Sequence, residues 1–163
     1  MAITNQHTKV LIIGGGPSGL MMAAQLLRYG VQPIIIDNKQ GPTSHSNALG
    51  VQARSLEIYR QLGIIDQVVP NGKPTGGLSF NQGGKERATL SLNKIGEGMT
   101  PFPYLLLYQQ NKNERALLDN LTQNCCPVYW NTELISLQQE PGSVTAVIKS
   151  NEEEHQLKCD WVI

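Results

Sequence analysis

Three glycines, Gly14, Gly16 and Gly19, stand at the spacing G-x-G-x-x-G inside the stretch VLIIGGGPSGLMMA. Residues of this type do no acid–base or nucleophilic chemistry. What they can do is bring backbone amides against a phosphate. Gly14 permits a tight turn out of the apolar run Val10–Ile13. Gly16, with no Cβ, lets a pyrophosphate approach the backbone, and Gly19 lets a following helix pack closely on the strand before it. Pro17 suits a first helical position, where its missing N–H costs nothing. With Ser18, these residues open a helix whose unpaired first-turn amides carry partial positive charge. Asp37 lies eighteen residues past Gly19, where a carboxylate can accept hydrogen bonds from ribose hydroxyls. The chemistry on offer is therefore binding of a dinucleotide. FAD and NAD both carry an adenosine and a pyrophosphate, so the fingerprint alone does not choose between them.

The elements that must position these residues can be read from the same stretch. Val10–Ile13 is apolar without alternation, as in a strand covered on both faces. Leu20 to Tyr29 carries Leu20, Ala23, Ala24 and Leu27 on one helical stripe, and Gly30 ends it. Pro33–Ile36 is a second buried strand closed by Asp37. Strand, helix and strand within thirty residues make a βαβ unit. A polar loop follows over 38–47, then a helix over 52–62. Gly83-Gly84 sits between two alternating runs and marks a hairpin. Tyr104–Tyr108 reads as a strand and 113–124 as a helix. The remainder reads as a β-meander over 128–137, 143–149 and 155–158, with Trp161-Val162-Ile163 starting a further strand. The fold class expected is α/β: a Rossmann-like βαβ domain plus a β-meander.

Composition removes other classes of function. The 163 residues hold 13 Lys plus Arg and 13 Asp plus Glu, so bulk charge gives no support for binding nucleic acid or an acidic membrane. The polar start MAITNQHTK and the glycines that interrupt the first apolar run match neither a signal peptide nor a membrane span, and a cytoplasmic protein is expected. Cys125, Cys126 and Cys159 form no disulfide framework and no zinc spacing. His7, His45 and His155 are scattered, with no nucleophile or metal spacing around them, and read as solvent-facing. No catalytic side chain and no metal site is identified. A domain whose hard chemistry belongs to a bound cofactor needs neither.

Beyond Asp37 the chain does not continue as a simple NAD dehydrogenase, which would follow at once with another strand and helix. It continues with SNALGVQARSLEIYRQLGIID, a hairpin, and YLLLYQQNKNERALL. Three motifs in this order, GGGPSGLMMAAQLLRYG, ALGVQARSLEIYRQLG and Gln110-x-x-x-Glu114-Arg115, resemble the group A flavoprotein monooxygenases. These are the aromatic hydroxylases related to para-hydroxybenzoate hydroxylase and phenol hydroxylase, and the resemblance covers nearly the whole chain. It implies FAD as cofactor and NAD(P)H as co-substrate, with O2 used to hydroxylate a phenol-like substrate. It implies that Gly14, Gly16, Pro17, Ser18 and Gly19 hold the pyrophosphate. Asp37 would hold the adenosine ribose, with Asn38 standing where relatives carry an arginine and Lys39 next to it. Arg54 and Gln110 would lie near FAD. Relatives often carry an arginine before the Ala of ALG, where this chain has Asn47. Glu114 and Arg115 read as helix surface or local ion pairs.

The resemblance further implies that residues 1–163 are the N-terminal part of a FAD-binding domain, with 72–100 a hairpin insertion belonging to the substrate side. Later family motifs that contact the flavin are absent, so a missing C-terminal segment or a homo-oligomer is expected to cover the exposed sheet. Two alternatives stand beside this reading. One is another FAD-dependent oxidoreductase of the same superfamily, and the other is a catalytically inactive nucleotide-binding fragment.

Overall fold

The computed structural model describes residues 3, 7–45, 50–92 and 96–163. They form two compact units, Met1–Ser44 with Glu114–Ile163, and His45–Asn113. Asn47 and the first two residues of the second motif, Ala48 and Leu49, lie outside the described residues.

The first unit is built on one six-stranded sheet. Its first strand, β1 (His7–Ile13), is followed by helix α1 (Pro17–Arg28) and strand β2 (Ile34–Ile36), which pairs parallel to β1 with Leu11 beside Ile34 and Ile13 beside Ile36. Leu20, Ala23 and Ala24 are the buried face of α1. The two alanines keep that face narrow, so the helix can lie close to the sheet. The chain leaves α1 through Tyr29 and Gly30, whose φ of +74° is the left-handed geometry of a helix C-terminal glycine. The βαβ unit is therefore formed as expected, with α1 starting three residues earlier, at Pro17.

The meander differs from expectation. Residues 128–137 do not make one strand. Val128–Tyr129 (β8) pairs parallel with β2, and Thr132–Glu140 (β9) pairs antiparallel with Ser143–Ser150 (β10). The break falls at Asn131, whose φ is +52°, a conformation Asn tolerates better than most residues. Trp161-Val162 does not begin a new strand either. It is the end of β11 (Glu153–Val162), which pairs antiparallel with β10 along its first part and parallel with β1 over His7–Leu11. The sheet order is β8-β2-β1-β11-β10-β9. Leu11, Ile34, Ile36, Ala146, Ile148, Leu157 and Cys159 form its core cluster. Helix α4 (Gln110–Gln123) buries Ala116, Leu117 and Leu121.

The second unit carries a three-stranded antiparallel sheet in the order β3-β7-β4, from Gly50–Val51, Leu105–Leu107 and Lys73–Thr75. Helices α2 (Ala53–Gln61) and α3 (Ile65–Val68) supply Leu56, Tyr59 and Val68 to its buried residues. The Tyr59 hydroxyl donates to Asn113 Oδ1 at 2.6 Å, so this polar group enters the interior with its hydrogen bond made. A separate hairpin, β5 (Gly77–Gln82) and β6 (Lys85–Ser91), turns at Gly83-Gly84 as expected.

Candidate dinucleotide site

β1 delivers the chain into the turn at Gly14, whose φ of +112° is a conformation essentially reserved for glycine. Two successive amides of the turn are then tied to the end of β2. Gly14 N–H donates to Ile36 O at 2.8 Å, and Gly15 N–H donates to Asp37 Oδ2 at 2.7 Å. Gly16 is the extended residue capping α1, with Pro17 at the first position, and Leu20 N–H donates to Gly16 O at 2.9 Å to close the first helical turn.

Each glycine meets different surroundings. A Cβ on Gly19 would collide with the carbonyl oxygen of Gly14, so helix and turn touch there backbone to backbone. A Cβ on Gly15 would stand 3.0 Å from the Trp130 ring and 3.1 Å from Val128 Cγ1, so this residue is floored by β8 and the residue after it. At Gly16 no heavy atom lies within 4 Å of the Cβ position. That open space, at a helix whose first turn has no acidic residue and no side-chain cap, fits the approach of a diphosphate. Ser18 is exposed in the same turn. The residues present therefore suit the phosphate half of a dinucleotide.

Asp37 lies at the edge of this turn and is almost entirely buried. Its Oδ1 accepts the Lys39 N–H at 2.8 Å, and the Lys39 ammonium is 3.4 Å from Oδ2. Its backbone is held on both sides, the N–H donating to Tyr129 O and the carbonyl accepting from Thr132 N–H, each at 3.0 Å. Asn38 is exposed in the turn that follows. Gly14, Gly16, Pro17, Ser18, Gly19, Asp37 and Asn38 are all carried by the first unit, on the strand-to-helix turn and at the end of β2.

Arg54 and Gln110 belong to the second unit. Arg54 lies in the first turn of α2, where Nη1 donates to Glu57 Oε2 at 2.9 Å. The Arg54 guanidinium, with the Thr100 hydroxyl also contributing, lowers the Glu57 carboxyl below its ordinary value. Gln110 is the first residue of α4.

Glu114 is not the surface residue expected. It is 1% exposed, and its Oε2 accepts the Thr43 N–H at 2.9 Å, which fastens the loop after β2 to α4. Arg115, its neighbour, is exposed. Helical spacing carried the signal: Glu114, Leu117 and Leu121 fall on one stripe, so the carboxylate had to be either buried or an interruption of the apolar face. Gly15 and Trp130 were also passed over. The middle glycine of GGG and the aromatic that floors it have no spacing rule to reveal them.

The remaining reactive groups stand apart from this site. His7 pairs with Asp160 at 2.8 Å while remaining open to solvent. The three cysteines are free thiols. Cys125 is exposed, and burial pushes both Cys126 and Cys159 up to about 11. Among the described residues no group of three or more His, Cys, Asp or Glu is arranged to hold a metal ion, and no helix is long and apolar enough to cross a membrane.

The FAD binding domain family matches residues 7–163. The chain belongs to this family. Its relatives are group A flavin monooxygenases. This FAD-binding-domain chain is 32% identical over 157 residues to pentachlorophenol 4-monooxygenase of Sphingobium chlorophenolicum, a match covering 94% of the chain and 29% of the relative. It is 30% identical over 155 residues to 6-methylpretetramide 4-monooxygenase of Streptomyces rimosus, covering 95% of the chain and 28% of the relative. Among solved structures, p-nitrophenol 4-monooxygenase from Pseudomonas putida DLL-E4 shares the fold at TM-score 0.87 and 21% identity, over 97% of this chain and 40% of that one. The flavin-dependent monooxygenase PieE, in complex with FAD and substrate, is similar at TM-score 0.84 and 27% identity, over 99% of this chain and 30% of that one. The chain spans less than a third of the length of the two curated relatives.

Proposed function

We propose that this chain is the FAD-binding portion of a flavoprotein monooxygenase that hydroxylates a phenol-like aromatic substrate with NAD(P)H and O2. The observation that carries the binding half is the turn at Gly14–Gly19, with open space at Gly16, an acid-free helix start and backbone contact at Gly19. The aromatic half rests on similarity to a pentachlorophenol 4-monooxygenase. When bound, FAD supplies the redox chemistry, accepting hydride from the nicotinamide and reacting with O2. The chain's own residues bind and orient. The first-turn amides of Ser18 and Gly19 would hold the diphosphate, Gly16 would let it approach the backbone, and the Gly14–Gly19 contact keeps helix and turn together. Arg54 and Gln110 are proposed as cofactor residues on the resemblance of their motifs alone.

The test is an absorbance spectrum of the purified chain after gel filtration with FAD. Flavin bands that co-elute with the protein are expected, and their absence at saturating FAD would overturn the binding assignment. Oxidation of NADH or NADPH coupled to loss of a phenol tests the catalytic half. Retained flavin with no nicotinamide oxidation would leave the binding half standing and overturn the catalytic half for this chain.

A further inference from the structure

We propose that Glu114 is a positioning residue for the adenosine end of the dinucleotide site, acting through the loop 38–44 that follows Asp37. This rests on the dinucleotide-site reading above, in which Asp37 meets the ribose. Glu114 is 1% exposed and lies on the stripe of α4 that buries Leu117 and Leu121. Burying a carboxylate is costly without donors, and an apolar residue at such a position is often the more stable choice. The charge is therefore explained by what it holds rather than by packing. Its Oε2 accepts the Thr43 N–H at 2.9 Å, joining residues 71 positions apart. A charged acceptor makes a bond roughly twice as strong as a neutral one.

The loop carries the exposed Asn38 and the half-exposed Lys39 at the corner beside Asp37. Its first part is tied to the sheet side of the unit. Asp37 N–H donates to Tyr129 O at 3.0 Å, and Lys39 O accepts from Asn131 N–H at 2.8 Å. Beyond Lys39 the loop runs through open space, since no heavy atom lies within 4 Å of the Cβ position of Gly41. Thr43 is then tied to α4 by Glu114. The chain leaves the first unit after Ser44 and re-enters it at Glu114. The Thr43–Glu114 bond thus closes the excursion His45–Asn113 at its base, inside the first unit. Movement of that long excursion is stopped at Thr43 and is not passed along the open loop to Asn38 and Lys39, where the adenosine end of a nucleotide would rest.

The test follows the backbone amides of the wild-type chain by NMR as ADP is added, then those of Glu114→Ala and Glu114→Gln. In the wild type, ADP is expected to shift the amides of the glycine turn and those of Asn38 and Lys39. In Glu114→Ala at saturating ADP, the glycine-turn shifts are expected to remain and those at Asn38 and Lys39 to vanish, with affinity about tenfold weaker. Shifts retained at Asn38 and Lys39, or both sets lost alike in a folded chain, would overturn the proposal. Glu114→Gln keeps an acceptor of the same length, and is expected to restore the shifts and bring affinity within about threefold of wild type. No restoration would mean that the bond to Thr43 is not what counts, and would overturn the proposal. Coupling is reciprocal, so ADP is expected to slow exchange of the wild-type Thr43 amide about tenfold. Exchange indifferent to ADP would overturn the proposal, and this measurement decides should Glu114→Ala not fold. Wild-type shifts confined to the glycine turn would overturn the role of Glu114 and leave the nucleotide site standing. A wild-type chain showing no ADP shifts at all would overturn both.

Discussion

The turn after β1 and the turn between β5 and β6 both put glycine where φ is positive, Gly14 at +112° and Gly83 and Gly84 at +59° and +72°. Their surroundings have little in common. The first turn touches a helix backbone at Gly19, an indole at Gly15 and a buried carboxylate through the Gly15 amide. The second joins two strands that are exposed along nearly their whole length, and a Cβ at Gly83 or Gly84 would meet nothing within 4 Å. In the hairpin, glycine serves only the local conformation, as a two-residue turn requires. In the first turn, the absence of a side chain is a packing requirement as well. Glycine composition alone does not distinguish the two.

Substitutions can break this contrast. Gly19→Ala is expected to have the largest effect, of order 4 kcal/mol, because its Cβ meets a backbone oxygen that cannot step aside. Chemical denaturation and flavin retention should fall together. If Gly19→Ala is as stable as wild type, the helix and turn are not in backbone contact.

Alkaline pH comes next, and it acts on the sheet that carries the first turn. Cys126 and Cys159 are buried and held protonated, each pushed up from 9.0 to about 11. In the unfolded chain these thiols ionise near their ordinary value. Their contribution is therefore fully present below pH 9 and is lost as pH rises through 11, of order 2–3 kcal/mol for each thiol. Denaturation midpoints at pH 8, 9.5 and 11 measure it. No decline would mean that the thiols are not sealed from water.

Gly14→Ala adds backbone strain without a steric clash, and a loss of about 2 kcal/mol is expected, visible in the melting temperature and in weaker FAD binding. The smallest effect is expected of Gly84→Ala, about 1 kcal/mol for a single left-handed residue, with FAD affinity unchanged. An affinity loss there equal to that of Gly14→Ala would erase the distinction between the turns.

Much of the first unit was legible before any coordinates. Apolar runs without alternation, the glycine spacing and Asp37 defined strand, helix and strand, because these features express local geometry. The Gly83-Gly84 hairpin was legible for the same reason. What escaped depends on neighbours distant in the chain. Residues 128–137 keep a strand-like composition through Trp130 and Asn131, so nothing local shows that β8 belongs beside β2 and β9 beside β10. Trp161 and Val162 look like a fresh strand unless their continuity with 153–160 across Cys159 and Asp160 is seen. The Glu57 partner of Arg54 and the Thr43 partner of Glu114 differ in kind. The first lies three residues away on the same helix and could have been foreseen. The second joins positions far apart in sequence.

Strand β11 sets His7 beside Lys158 and Leu11 beside Val162. The strand that launches the glycine turn is flanked on one side by a segment made about 150 positions later. On a ribosome, β1 and α1 emerge early and must wait, with one edge of β1 unpaired, until synthesis has passed residue 158. Pairings of such long separation form slowly, since loop-closure entropy is met before the contacts reward it. The phosphate turn would then become rigid only after β11 has been made, and a nucleotide that prefers the finished turn would favour that pairing.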